Sequence, residues 1–452
     1  MGARALSVAQ RVAAVLIAAL SLAAAPPHTR LSRSSPAAGD TLRQSPRDVR
    51  LWFSGRAELS FTRVRLVRRS DGREIAIGPV ARLDSSFSAF TVAVRATLGN
   101  GTYTVVWQTA AADGHPVRGH YDFTVVGVAV VAMADTARVV PAHRIATMPD
   151  EDGDELQDYQ VARWAGFIGL LAVLGTVVFR FAVLGVMERR NEPVSDLAER
   201  ARQIGVAATV LLLATAVYRL FTELRALGYE QNPLQVDALI LALSGVTWGR
   251  GWLVGGVGAL LLLAGLIAAR RRACWHIAAL GALAVAVSPA LTGHAAAEDN
   301  APLAITVDAL HVLGAGGWLG TLLLVVLAGV PAALRRVPGE RGPAAASILR
   351  AFHPVALICV PLVLVSGLIS AWMRVESFAA LTASRYGAYL LVKTALFLCV
   401  ALIGAYNWRR MLPATGDEAG ARRIRRTAAL ELVIGAIVLA VTAALVVTPP
   451  PE

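Results

Sequence analysis

Between residues 49 and 128 apolar and polar positions alternate with a period of two. The runs VRLWFSG (49–55), SFTRVRLVRRSDGREIAI (60–77), SSFSAFTVAVRATLGNGTYTVVWQTA (85–110) and GHYDFTVVGV (119–128) read as strands, with Tyr103, Val105 and Trp107 on one face. Turn signals separate them at Ser70-Asp71-Gly72, Gly99-Asn100-Gly101 and Asp113-Gly114. Short strands that each have one apolar face to bury predict a small Ig-like β-sandwich. From Val161 the pattern changes. Apolar runs at 161–187, 205–224, 236–269, 274–293, 303–334, 353–374, 386–408 and 427–448 are long enough to cross a bilayer, which takes about 20 residues. The third is broken by GVTWGRG and counts as one span. The predicted fold class is mixed: an N-terminal β-sandwich, then an all-α polytopic membrane domain of about eight transmembrane helices.

Residues 1–25 have signal-peptide architecture, with Arg4 and Arg11 ahead of the apolar run VAAVLIAALSLAAA. Residues 26–128 are then the exported sandwich, and 129–160 a linker closed by the acidic run PDEDGDELQD. Residues 161–448 form the membrane domain. With the sandwich outside, the inner loops carry Arg189, Arg190, Arg200 and Arg202, then Arg270, Arg271 and Arg272, then Arg335, Arg336 and Arg341, then Arg409, Arg410, Arg422, Arg423, Arg425 and Arg426. The outer loops 294–302 and 375–385 are poor in arginine. This asymmetry follows the positive-inside rule and predicts a multi-pass protein of the cytoplasmic membrane with its N-terminal domain extracytoplasmic.

Composition agrees: 56% of residues are hydrophobic and 16% charged. The net charge of +12 is accounted for by the loop arginines, so it points to membrane topology and not to nucleic acid. The three cysteines, Cys274, Cys359 and Cys399, lie in or beside membrane segments, which leaves the exported part without a disulfide framework. There is no G-x-S-x-G, no G-x-x-x-x-G-K-[ST] and no H-E-x-x-H, so neither a catalyst nor an ATP-driven pump is expected.

The chemistry on offer is mainly histidine. His294 ends the fourth span in LTGHAAAEDN, and His311 lies inside the fifth in DALHVLGAGGWLG. Asp308 and His311 are spaced i, i+3, which puts a carboxylate and an imidazole on one helix face. Ionisable groups inside a membrane are expensive, so the pair is a candidate site; a buried polar clamp between helices is the competing reading. His353, before Pro354 near the inner end of the sixth span, and Met373, at its outer end, are further possible donors, the latter soft enough for Cu(I). Lys393, Arg219, Glu223 and Glu431 are candidates for pairing across helices. In the sandwich, Asp113 and His115 flank Gly114 in a turn that can bring oxygen and nitrogen donors to one ion, as suits Cu(II).

The segments HTRLSRSSPAAGDTLRQSPRDVRLWFS, FTRVRLV and GTYTVVWQTAAADGHPVRGHYDFTV together resemble the CopC family of periplasmic copper-binding β-sandwiches, over residues 28 to about 126. The membrane part resembles the CopD family, through TWGRGWL (247–253), TGHA (292–295), DALHVLGAGGWLG (308–320), SGLISAW (366–372) and SRYGAYLLVKTALFLCVALIGAYNWRRMLP (384–413). Fusions of this order are associated with copper uptake or handling. The resemblance implies copper as the bound metal, with a Cu(II) site of His28, Asp113 and His115, His120 being a possible extra donor, and a membrane site for Cu(I) or Cu(II) near His294, Asp308 and His311. Gly55 stands where many relatives have an acidic residue, and Pro26 and Pro27 precede His28. The implied partners are copper ions and the lipid bilayer. The implied function is copper import; the alternatives are a membrane redox protein using haem or copper, and a copper sequestration or resistance protein with a membrane anchor.

Overall fold

A computed structural model of the chain describes residues 30–452 except 56, 58, 84–87, 111–115, 128–152, 227–238, 241–242, 244–246, 270, 297, 299, 376, 412–417, 447 and 449–452. The N-terminal part is a two-sheet sandwich. One sheet has the order β1 (Leu31–Ser35), β3 (Asp48–Phe53), β7 (Ala89–Val94), β6 (Ile77–Arg82); the other has β2 (Thr41–Leu42), β9 (Pro116–Val125), β8 (Gly101–Ala110), β4 (Arg63–Arg68), β5 (Glu74–Ile75). All pairings are antiparallel except β2 with β9. The alternation seen in the sequence places Val49, Leu51 and Phe53 of β3 against Tyr103, Val105 and Trp107 of β8, all buried in one core. Tyr103 stacks on Phe123 and donates its hydroxyl to Gly99 O at 2.9 Å, so its polar atom is satisfied as the ring is buried.

Eight helices among the described residues are long and apolar enough to span a bilayer: α1 (Asp158–Arg189), α2 (Ser195–Arg225), α3 (Trp248–Ile267), α4 (Arg272–Leu291), α5 (Ala301–Leu334), α6 (Arg341–Arg374), α7 (Arg385–Arg410) and α8 (Glu418–Val446). The protein is a multi-pass membrane protein. Helices α2, α6 and α8 begin about two to three turns ahead of the apolar runs that announce them, and the helix leading into α1 begins at Gly153, inside the expected linker. The reason is that hydropathy marks only the part that meets lipid. The polar first turns are held by their own charges: Arg202 pairs with Glu199, and Glu418 pairs with both Arg422 and Arg341.

Helices α1 and α5 pack against each other at glycine. Any Cβ on Gly175 would enter the backbone of Gly320, and any Cβ on Gly320 the carbonyl of Leu171. Small residues permit this approach in lipid, where van der Waals contact and not water exclusion drives association. Next to it, α5 is π-wound over Gly316–Gly320 and again over Val325–Gly329. Gly320→Ala is therefore expected to destabilise the purified protein by about 1–3 kcal/mol, the usual overpacking range, read as a lowered midpoint in a thermal melt. Gly256→Ala on α3, whose Cβ would meet only Trp252 at 3.8 Å, should be neutral or slightly stabilising in the same melt.

Candidate metal centre

At one end of the sandwich the fold brings two chain segments together. Leu31 pairs with Phe53, and Phe53 packs edge-on against Trp107 with ring centroids 5.2 Å apart. The start of β1 and the far end of β8 therefore share that end. Backbone bonds fix the approach: Arg30 N–H donates to Ser54 Oγ and Ser54 N–H to Arg30 O. On the opposite sheet, Ala110 pairs with Pro116 and closes a hairpin over residues 111–115. His28 lies two positions before Arg30 in the sequence, and Asp113 and His115 lie between β8 and β9 in the sequence; all three are outside the described residues.

His120 is on β9 opposite Val106, exposed, and four strand positions, about 13 Å, from Pro116. Burial pushes the phenol of the adjacent Tyr121 up to about 12, so it is neutral at physiological pH.

In the membrane domain, Asp308 and His311 both face α6, as their spacing predicts. The Asp308 carboxylate takes Arg374 Nη2 at 2.8 Å on Oδ2 and the Ser370 hydroxyl at 2.8 Å on Oδ1. Arg374 Nε stands 3.8 Å from Glu298, in the connection between α4 and α5. His311 Nδ1 lies 3.1 Å from Ser366 Oγ, and Ser366 gives its one hydrogen to Leu362 O at 2.6 Å. Oγ can then only accept, so Nδ1 carries the imidazole hydrogen. That tautomer leaves the lone pair on Nε2, the atom able to bind a metal. Gly367 makes the close approach possible, because a Cβ there would sit 3.2 Å from His311 Cε1.

Other candidates gather at the same end of these helices. His294 begins a short turn, His294–Ala296, after α4; its side chain is outside what is described, but Ala295 of that turn packs with buried Met373, Ala290 and Ala304. Lys393 of α7 lies within electrostatic reach of Asp308, Arg374 and His311. His353 is not drawn in: its ring stacks on Trp408 of α7, 3.1 Å between centroids and 2° from parallel. Among the described residues no three of His, Cys, Asp and Glu converge on one point. Arg374, Ser366, Ser370 and Glu298 were not among the residues expected from the sequence. A signal existed, since Ser366, Ser370 and Arg374 recur every four residues and so share one helix face.

Three families match this chain: "CopC domain" over residues 31–126, "Copper resistance protein D-like, N-terminal domain" over 148–305, and "Copper resistance protein D" over 346–445. The chain is 26% identical to the copper transport protein CutJ of Bacillus subtilis, over 94% of this chain and 75% of that one. It is 31% identical to the protein YobA of Escherichia coli K12, over 22% of this chain and 78% of that one. Among solved structures it is similar to CopC from Methylosinus trichosporium OB3b, with 29% identity over 22% of this chain and 93% of that one, at a TM-score of 0.20.

The ion pair should dominate the stability of this region. Arg374→Leu leaves the Asp308 carboxylate in an apolar seam without its cation and is expected to cost about 3–5 kcal/mol. The double variant Asp308→Leu/Arg374→Leu should recover most of that loss. Thermal melts of the purified protein check both.

Proposed function

The chain belongs to the CopC/CopD fusion family, and we propose that it carries copper inward across the cytoplasmic membrane after capture by the exported sandwich. The observation that carries this reading is the seam between α5 and α6. It holds an orienting serine, an imidazole held through Nδ1 and a charge-paired carboxylate within an apolar bundle, beside the His294 turn and Met373. Ionisable groups are costly inside a membrane, pair with one another there, and mark ion pathways. A protein named for copper transport, similar along nearly the whole chain, supplies the identity of that ion.

Capture is assigned to His28, Asp113 and His115. Support comes from the described frame around them, in which the β1 start and the β8–β9 hairpin occupy one end of the sandwich. Nitrogen and carboxylate donors suit Cu(II). The ion then passes to His294 and His311, with Met373 as a soft neighbour. Asp308 acts through Arg374: while the pair is closed the carboxylate is occupied, and an arriving cation competes with the guanidinium for it. Release of Arg374 toward Glu298 would free one carboxylate oxygen for the ion. The arginine-rich helix ends face the cytoplasm in this reading, and the membrane potential, worth about 2.3 kcal/mol per charge per 100 mV, favours inward movement of a cation.

Cells grown at limiting copper with His311→Ala or His115→Ala are expected to hold several-fold less copper than cells with the native chain at equal expression. Metal content measured by mass spectrometry decides this. Native copper levels with both variants would contradict import.

A further inference from the structure

A second buried polar pair lies away from the copper residues. Glu431 of α8 and Asn407 of α7 are 3% and 7% exposed, and the Asn407 amide nitrogen donates to Glu431 Oε1. Gly404, one turn before Asn407, makes room: a Cβ there would be 3.2 Å from Glu431 Oε2. From Asn407 to Met411 the helix is π-wound, a local widening that commonly marks functional positions.

The hydrogen-bond inventory of this pair is incomplete in an informative way. Asn407 Oδ1 is buried and has no partner. It is an acceptor, and an ionised carboxylate is an acceptor too, so the ionised pair can form one bond and must orphan Oδ1. A neutral carboxyl resolves this. Its O–H can donate to Oδ1 while its other oxygen keeps the amide hydrogen, closing a two-bond ring in which no buried atom is orphaned.

The charges around the pair point the same way. Among the described residues the side-chain hydrogen bond to Glu431 comes from Asn407, and no ion pair reaches it. On α7, Arg409 and Arg410 are exposed and Lys393 belongs to the Asp308 cluster. On α8, Arg425 and Arg426 are exposed. On α6, Arg341 pairs with Glu418, Arg350 bonds to Ala346 O and is exposed, and the ring of His353 is stacked on Trp408. On α5, the apolar side chain of Leu319 lies beside Gly435 of α8. On α1, which touches α8 through Trp164 and Ala436 O, Arg163 bonds to the Tyr159 hydroxyl.

We infer that Glu431 and Asn407 form an intramembrane proton-binding site. The Glu431 carboxyl holds a proton shared with Asn407 Oδ1; when the pair opens, its O–H bond breaks, the proton passes to water at the arginine-rich end of α7 and α8, and the electron pair stays on a carboxylate held by the Asn407 amide. Glu431 lies only one turn inside the apolar stretch that starts at Thr427, so the path to that water is short. In the import reading this proton is the ion whose gradient assists copper, and that step alone rests on import.

Infrared spectroscopy of the copper-free, full-length protein in lipid nanodiscs tests the site. The expected result at neutral pH is a carboxylic-acid carbonyl band that shifts on transfer to D2O, fades as pH rises, and is lost in Glu431→Gln. Asn407→Leu should keep the band and move it to higher frequency, which guards against misfolding of the first variant. Absence of any Glu431-dependent acid band would overturn the proposal, and so would a band indifferent to D2O and pH. Because copper is absent, failure here leaves the import reading standing. Conversely, His311→Ala should leave the band unchanged even where it abolishes copper movement.

Discussion

The Asp308–Arg374 ion pair is the constraint around which the membrane domain is arranged. A carboxylate and a guanidinium in an apolar helix seam are tolerable only as partners, and each needs its remaining hydrogen-bond capacity met. Ser370 answers for the carboxylate, whereas Arg374 Nε is buried without a hydrogen-bond partner, 3.8 Å from Glu298. These contacts fix the rotation of α6 against α5, because Ser366, Ser370 and Arg374 must all lie on the facing stripe. The same rotation points Ser366 at His311, which sets the imidazole tautomer. One electrostatic requirement thus orients the group best suited to bind a metal.

The rest of the bundle holds that seam still. Glycine contacts between α1 and α5 lock the helix that carries Asp308 and His311, and a buried cluster around Phe179, Trp318, Leu322 and Phe352 packs the other end of α5 and α6. The sandwich follows a comparable plan. An aromatic core of Phe53, Phe90 and Trp107 supports one end, where β1 begins and β8 ends.

Much of this was legible in the residues themselves. Period-two alternation located the long strands of the sandwich, and β2 and β5, two residues each, were too short to announce themselves. Apolar run length located all eight spans, although the polar first turns of α2, α6 and α8 lay outside what hydropathy reports. The i, i+3 spacing correctly set Asp308 and His311 on one face. Their partners were hidden for a physical reason: pairing across helices depends on rotation and depth, which one sequence does not encode as a pattern. Arg374 ends the apolar run 353–374, and nothing in that run names Asp308 on another helix as its partner. Glu431 was recognised as needing a partner, but Asn407, a neutral residue near an arginine cluster, gave no signal that it was the one.

In the proposed function copper crosses from the sandwich side to the arginine-rich side through the α5–α6 seam. This crossing is tested most directly by copper flux into proteoliposomes holding the purified protein in a defined orientation, with the sandwich outside. Copper supplied outside is expected to accumulate in the lumen faster than in protein-free vesicles, and a lumen-negative potential to speed it. Accumulation no faster than in empty vesicles, or net movement of lumenal copper outward against that potential, would contradict it.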